Sequence, residues 1–316
     1  MTVAAAALLA SDDFVRDELW PLLGQGEPPA VVRHEHRHGV VEYGFDGGRR
    51  VFAKPVDDAD EARATFEVQR ALWERGFGAG SRYTVAEPVA FLAQHGILVV
   101  GAAAGEPVRE AWTRDPRESE DAIREAARWL AALHASPLRL GSVDGLANRA
   151  LHLSRRTALS AARRPPYAPM LARLMDELAG RLPPQPATEP VQTHGRYHLQ
   201  HVYVTPERVT VIDLDRAAVA DPAKDVGEFL HRLRADAMRR GVEQEATDGA
   251  TAAFVAAYVR AGGRPLVALQ FYWSYSILFT LVARIGREDP DEKVRREVEF
   301  FADEFEAVPE RVAAFG

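Results

Sequence analysis

The chain has 316 residues, with 39 Lys plus Arg against 46 Asp plus Glu, a formal charge of −7, and 47% hydrophobic and 27% charged residues. That supplies apolar surface for more than one core, and it is the wrong charge balance for a general nucleic-acid binder, which needs a basic footprint. The absence of cysteine excludes disulfides, thiolate metal sites and cysteine nucleophiles, and it fits a reducing, cytoplasmic setting.

The first 13 residues, MTVAAAALLASDD, are apolar but lack the cationic start and cleavage pattern of a secretory signal. Residues 29–55 read as three short strands, PAVVRHEH, VVEYGF and RRVFAKPV. Asp46-Gly47-Gly48 between the last two is a tight-hairpin signal, because glycine accepts the positive φ such turns demand. A helix is predicted from Ala59 to Arg75, with Ala62, Phe66, Gln69 and Trp73 toward one face and Gly76 as its stop. TVAEPVAFLA and HGILVV read as two more strands. The order is that of a five-stranded antiparallel sheet carrying one helix, over residues 1–101.

Residues 102–316 read as mainly helical. VVGAAAGEP makes a short glycine-bearing join. From Glu118 to Ser136, Ala122, Ile123, Ala126, Ala127, Leu130 and Leu133 recur at helical spacing. Further helices are expected at 148–163 and 169–182, separated by Pro165-Pro166 and ended by Pro183-Pro184 and Pro186. A short β region, HVYV and RVTVIDL around Thr205-Pro206-Glu207, precedes helices near 223–240, 245–262, 266–285 and 291–306. The last of these carries Val294, Val298, Phe301 and Phe305 on one stripe. Pro265 to Ala283 bears no charge and approaches the length of a membrane span. Gln270, Ser274, Ser276, Thr280 and two tyrosines mark it instead as a buried core helix, so no membrane association is expected.

Lysine is scarce: Lys54, Lys224 and Lys293 stand against 36 arginines. Where a cation need only be a cation this chain uses arginine, so Lys54, inside an apolar strand, asks for a specific reason. The other chemical constellation is His194-Gly195-Arg196-Tyr197-His198-Leu199-Gln200-His201, followed twelve residues later by Asp213 in VTVIDLDRAAVADPAKD. Polar turn, strand, strand, acidic residue is the order in which kinase folds place a catalytic loop and a metal-binding aspartate.

On these residues the chain resembles the aminoglycoside phosphotransferase and choline kinase family, whose loop reads roughly HGDxHxxN and whose metal segment reads IDxxxxxxxDPxxD. His194, Gly195 and His198 match the first pattern; Ile212, Asp213, Asp221, Pro222 and Asp225 match the second. The resemblance implies an α+β, protein-kinase-like fold of two lobes. A small antiparallel β-lobe that binds nucleotide would span 1–101, and a larger, mainly helical lobe with the catalytic-loop and metal segments would span 102–316. It further implies ATP and Mg²⁺. Lys54 would contact the phosphates, with Glu67 or Glu61 orienting it. The backbone from Val100 to Ala102 would meet the adenine edge. Asp213 would hold the metal, while Asp215 would assist or pair with Arg216. Asp221 and Asp225 would tie the loop to the helix that begins near Ala223.

The loop departs from the family pattern at two positions. Arg196 stands where the family has its catalytic aspartate, and His201 where it has a metal-binding asparagine. A guanidinium cannot accept a proton. Two readings use the same residues. In one, Arg196 clamps the transferring phosphoryl group, His198 or His201 serves as base, and the protein phosphorylates a hydroxyl of a small molecule or modified peptide, as natural-product-tailoring or antibiotic-modifying enzymes do. In the other, Arg196 pairs with Asp213, blocks the metal, and leaves a pseudokinase that binds or scaffolds. A third reading is a peptide-binding partner protein of a biosynthetic complex.

Two weaker signals remain. His34, His36 and His38 alternate on one strand face, where a solvent-facing strand end or nucleotide-facing turn is the simpler reading than zinc. Arg287 to Glu306 holds nine acidic and four basic residues, read as a solvated helix face rather than a seat for a cationic substrate.

Overall fold

Alternation builds the first sheet. Along β1 (Val31–Glu35), β2 (Val41–Phe45) and β3 (Arg50–Pro55), the side chains of Val41, Tyr43, Phe45, Val51 and Ala53 turn into a core, so Phe52 and Lys54 lie on the opposite face. Asp46-Gly47-Gly48 turns β2 into β3 with φ of +92° and +85° at its glycines, which sets Gly44 opposite Arg50 and Val41 opposite Ala53. A computed structural model of the chain describes residues 3–24, 26–183, 188–286 and 292–315, and these form two compact units. Pro184 and Pro186, residues 287–291 of the acidic stretch and the side chain of Val294 lie outside what is described.

The first unit contains residues 1–106 and 202–216. It begins with a helix the sequence reading did not anticipate, α1 (Val3–Ala10), followed by a single π-helical turn. Leu9, Phe14, Val15 and Leu19 from this segment fill the core beneath β2 and β3, together with Leu92, Ile97 and Val99. After β3, α2 (Ala59–Glu74) starts at Asp58, whose carboxylate accepts the amides of Asp60 and Glu61. It buries Ala62, Thr65, Val68, Gln69 and Leu72, a face turned slightly from the expected one, with Phe66 and Trp73 at its margin. The stretch TVAEPVAFLA is two strands rather than one, β4 (Tyr83–Val85) and β5 (Pro88–Leu92). It divides at Ala86, whose N–H leaves the first sheet and donates to Val211, while its carbonyl accepts Gln69 Nε2. With β6 (Ile97–Gly101), the sheet runs β1-β2-β3-β6-β5, antiparallel throughout as expected. The two-residue β7 (Glu106–Pro107) ends this part of the chain.

The second unit is 107–201 and 217–316. Its helices are α3 (Val108–Arg114), α4 (Glu120–Ala135), α5 (Leu146–Arg163) and α6 (Ala168–Gly180). Strand β8 (Val191–Thr193) follows, and the chain then contributes β9 (Val202–Val204) and β10 (Val209–Val211) to the first unit. It returns as β11 (Ala218–Ala220), α7 (Ala223–Arg240), α8 (Gln244–Arg260), α9 (Leu269–Ile285) and α10 (Glu292–Ala313). Helix α9 is the uncharged stretch, almost wholly buried against α7 and α10, and no described helix is long and apolar enough to cross a membrane. Helices α7 and α9 come close because of Gly227, where a Cβ would lie 2.6 Å from the backbone nitrogen of Trp273. Helix α10 is not simply a solvated face. Glu304 is buried and accepts from Arg234 and Arg311, and Glu297 accepts from Arg239 and Arg284.

The expected boundary near residue 101 falls close to the first crossing between units, but the 202–216 return was assigned to the helical part. Hydrogen bonding explains its place. β10 pairs in parallel with β4 and antiparallel with β9, so the segment completes a sheet of the first unit.

His231 on α7 has a pH consequence. It is buried with its Nε2 bonded to Thr280 Oγ1 at 2.7 Å, and burial, with Arg232 nearby, pushes its pKa down to about 3. The unfolded chain, with an ordinary value of about 6.5, binds that proton first, so this stabilising contribution is complete above pH ~6.5 and lost on descent toward pH 3. The unfolding free energy from urea titrations should fall between pH 7 and 5, by at most about 1.4 kcal/mol per pH unit for this group. His231→Gln should flatten that slope; a variant titrating like the native chain would refute the assignment.

Candidate active site

In the first unit Lys54, on the sheet face away from the core, meets two carboxylates. Its Nζ donates to Asp213 Oδ1 at 3.2 Å and to Asp215 Oδ2. Both aspartates follow β10, so the β4–β10 pairing that draws in residues 202–216 also brings them to β3. Burial acts to depress the ammonium, but Asp215 and Asp213 outweigh it and Lys54 is held above its ordinary pKa. Asp213 has φ +66°, a left-handed conformation that few residues other than glycine adopt. Such local strain collects where a structure holds a side chain in place for a task.

The expected orienting residues are elsewhere. Glu67 is exposed and accepts from Arg70 on its own helix, and Glu61 pairs with Arg216 at 3.6 Å. Asp215, read as an assistant or a partner of Arg216, takes the lysine instead. At the join, Val100 lies inside the sheet opposite Phe52 and Pro88. The Gly101 N–H donates to Glu87 and the Ala102 N–H to Arg50, so these two amides are already engaged and do not present free donors to an adenine. The three alternating histidines do not converge: His34 and His38 are exposed, and His36 bonds Glu42 at 3.2 Å.

In the second unit the loop after β8 is clamped from below. Asp225, fully buried in the first turn of α7, accepts the amides of His194 at 2.7 Å and Gly195 at 2.8 Å. His134 Nε2 lies 3.3 Å from the same carboxylate, and its Nδ1 is 2.8 Å from Tyr258 Oη. Burial raises the Asp225 pKa, but His134 and the neighbouring cations more than offset it, leaving the carboxyl below its usual range. Tyr197 adds a second anchor, stacked between Trp129 and Phe229 with its hydroxyl donating to Ala126 O. The tie between Asp225 and the loop is as expected; His134 and Tyr258, which hold Asp225, carry no signal in a single sequence because they come from distant helices.

Arg196 is exposed in the loop that follows β8. Its carbonyl lies 3.1 Å from His201 Nδ1. A carbonyl only accepts, so that nitrogen carries the proton and Nε2 carries the lone pair. His198 is the reverse case: its Nδ1 accepts the Gln200 amide, and burial together with the adjacent His201 ring, 3.7 Å away between centroids, holds its pKa far below the imidazole range.

Two carboxylates on one ammonium offer hard oxygen donors, and among the described residues no group of three or more His, Asp or Glu is placed to hold a metal by itself. That donor set fits Mg²⁺, which commonly takes one or two protein carboxylates and completes its shell with substrate phosphates and water.

A search of curated proteins finds no match. Among solved structures, a putative aminoglycoside phosphotransferase from Ralstonia eutropha superposes with TM-score 0.66 at 17% identity, covering 98% of each chain. A choline kinase from Streptococcus pneumoniae gives 0.62 at 12% identity over 94% of this chain and 99% of its own. An amicoumacin kinase, hAmiN, solved in complex with AMP-PNP, Ca²⁺ and Ami, gives 0.61 at 14% identity over 97% of this chain and 96% of its own. These likenesses establish the kinase-like α+β fold. The model of the phosphotransferase enzyme family matches residues 23–272, and the chain belongs to that family.

Proposed function

We propose that this protein transfers the γ-phosphoryl group of ATP to a hydroxyl of a small molecule or modified peptide. The observation that carries the reading is Lys54 held between Asp213 and Asp215, with Asp213 in a left-handed backbone. Lys54 would contact phosphate oxygens, and Asp213, aided by Asp215, would hold Mg²⁺, which supplies charge neutralisation of the polyphosphate. Lys54, already placed beside both carboxylates, would balance their charge and lie within reach of a phosphate oxygen. A new bond forms from the acceptor oxygen to the γ-phosphorus, the bond to the bridging oxygen breaks, and ADP leaves with that electron pair.

The acceptor proton needs a base. His198 is a poor one, because its Nδ1 lone pair is spent on Gln200 and its conjugate acid is far too acidic. His201 suits the role better, since its Nδ1–H is fixed by Arg196 O and its basic nitrogen is Nε2. The same nitrogen could instead serve as the second metal ligand, although imidazole is a weak ligand for Mg²⁺. Arg196 would stabilise charge on the transferring group. A base contributes roughly 10²–10⁴-fold, and much of the remaining acceleration in phosphoryl transfer comes from positioning and charge, so a loop without its aspartate can still work.

The pseudokinase is the second reading, favoured by the exposed Arg196 in the aspartate position. Titration calorimetry with AMP-PNP and Mg²⁺ tests the first half: saturable binding is expected, and no heat at millimolar nucleotide would sink the enzyme reading. The double variant Arg196→Asp, His201→Asn tests the second. If the native chain is inert toward ATP and the double variant turns it over, the pseudokinase reading stands.

A further inference from the structure

Helix α2 does not supply the carboxylate that meets Lys54, since Glu67 and Glu61 pair with arginines, but it sends a long polar side chain into the interior of the first unit. Gln69 is only 4% exposed, on a helix face shared with Ala62, Thr65, Val68 and Leu72. Glutamine is seldom buried so completely unless it answers another polar group, because its lost contact with water must be replaced. Its Nε2 donates to the carbonyl of Ala86 at 2.7 Å. That oxygen only accepts, so the carboxamide has to turn its nitrogen toward it.

Ala86 stands where two sheets of the unit meet. β4 ends just before it and pairs with β10, whereas β5 begins just after it in the sheet that holds β6 and β3. Lys54 is on β3, and Asp213 and Asp215 follow β10. Both backbone groups of Ala86 are engaged at this junction: its N–H donates to Val211 O at 2.9 Å, and its carbonyl takes Gln69. Val211 is the last residue of β10, and the chain runs from it through Ile212 to Asp213. The side chain of Gln69 is thus linked to the lysine-binding carboxylates through Ala86 and Val211, entirely within one compact unit.

We propose that Gln69 is a positioning residue: through Ala86 it fixes the offset between the strand that carries Lys54 and the strand that leads to Asp213 and Asp215, and so sets how tightly the site takes Mg²⁺ with nucleotide. This deepens the phosphotransferase reading and rests on it. Mg²⁺ demands a nearly ideal octahedral shell, so a carboxylate displaced by on the order of half an ångström already weakens its hold. An apolar residue at 69 would fill the same space on α2 and leave the junction without this tie.

The test uses the full chain and two variants. Gln69→Met keeps the length of the side chain and removes the donor; Val68→Ala takes volume from the same buried face and leaves the carboxamide in place. Calorimetric titration of AMP-PNP at a series of Mg²⁺ concentrations reads the metal dependence of binding, with melting temperature alongside. Gln69→Met should need about tenfold more Mg²⁺ for half-maximal nucleotide binding, the lower end of what loss of a supporting residue costs a metal site. Val68→Ala should lower the melting temperature and keep the native Mg²⁺ dependence. Native metal dependence in a folded Gln69→Met, or equal weakening in both variants, overturns the proposal. Should Gln69→Met fail to fold, hydrogen exchange on the native chain decides. Coupling is reciprocal, so Mg²⁺–AMP-PNP should protect the Ala86 amide about tenfold, while the Phe45 amide, bonded to Arg49 O at the β2–β3 hairpin, changes far less. Equal protection of the two amides, or none at Ala86, overturns the proposal. A native chain that binds no nucleotide brings down the phosphotransferase reading and this proposal with it, whereas a native chain that binds beside an unaltered Gln69→Met brings down this proposal alone.

Discussion

Asp213→Asn should reduce phosphoryl transfer by about 10²–10³-fold, the loss seen when one preorganised charge or donor is removed from a transition state, while barely changing stability. Asparagine is the informative choice. It tolerates the left-handed backbone that Asp213 adopts, keeps the size of the side chain, and removes only the charge. Lys54 keeps Asp215 as a partner, so the local fold has no reason to open. The side chains of Lys54, Asp213 and Asp215 are all partly exposed, at 32%, 25% and 40%. An ion pair in that setting contributes on the order of 0–1 kcal/mol to stability, whereas a thousandfold rate loss corresponds to about 4 kcal/mol of barrier. A structural pair and a functional one therefore predict opposite patterns. The functional pattern is a melting temperature within a few degrees of the native chain alongside collapsed transfer and weakened Mg²⁺-dependent nucleotide binding. Turnover within tenfold of the native chain would show that the lysine–aspartate contact is only a surface salt bridge.

Local sequence carried much of this fold. The alternation of Val41, Tyr43 and Phe45, the Asp46-Gly47-Gly48 turn and the apolar run at 97–100 were sufficient for the five-stranded sheet. Helix α7 could be bounded to the residue, because Pro222 starts it and Gly241, with φ +69°, ends it. Missed features depend on distant partners. Nothing in VAAAALLA says that Leu9 will lie under Tyr43, and nothing in TVAEPVAFLA says that Ala86 will bond Val211. The carboxylate expected to orient Lys54 was placed on the next helix, at Glu67 or Glu61, because the family resemblance implies one there. It came instead from Asp215, 161 residues away. One signal was present and unused: the scarcity of lysine that singled out Lys54 applies equally to Lys224, which proves to sit between Asp144 and the loop clamp.

Asp225→Ala should be the most destabilising single truncation around the loop, costing about 3–5 kcal/mol, because it strands polar groups in the interior rather than removing a contact from the surface. The carboxylate has no solvent exposure and holds three partners: the amides of His194 and Gly195, and the His134 ring. Deleting it leaves two amide donors facing a cavity and cuts His134 from the carboxylate that balances its link to Tyr258. Asp225→Asn should lose less but still substantially, since one carboxamide oxygen can replace only one of the two acceptors and the NH₂ opposes the other amide. Asp144→Ala is the control. That side chain is partly exposed and accepts no backbone amide of the loop, so its loss should leave the Gly195 amide as protected as in the native chain. Because the Asp225 pKa is depressed in the folded chain, its contribution is complete above the ordinary carboxylate range near pH 4 and disappears as pH falls through the folded value. The difference in urea midpoint between native and Asp225→Asn should therefore be full at pH 7 and shrink in strong acid. Hydrogen exchange at the Gly195 amide should rise in both Asp225 variants. A native-like midpoint for Asp225→Ala, with the Gly195 amide still protected, would mean that the Tyr197 stack alone holds the loop and that the acidic segment has no structural hold on it.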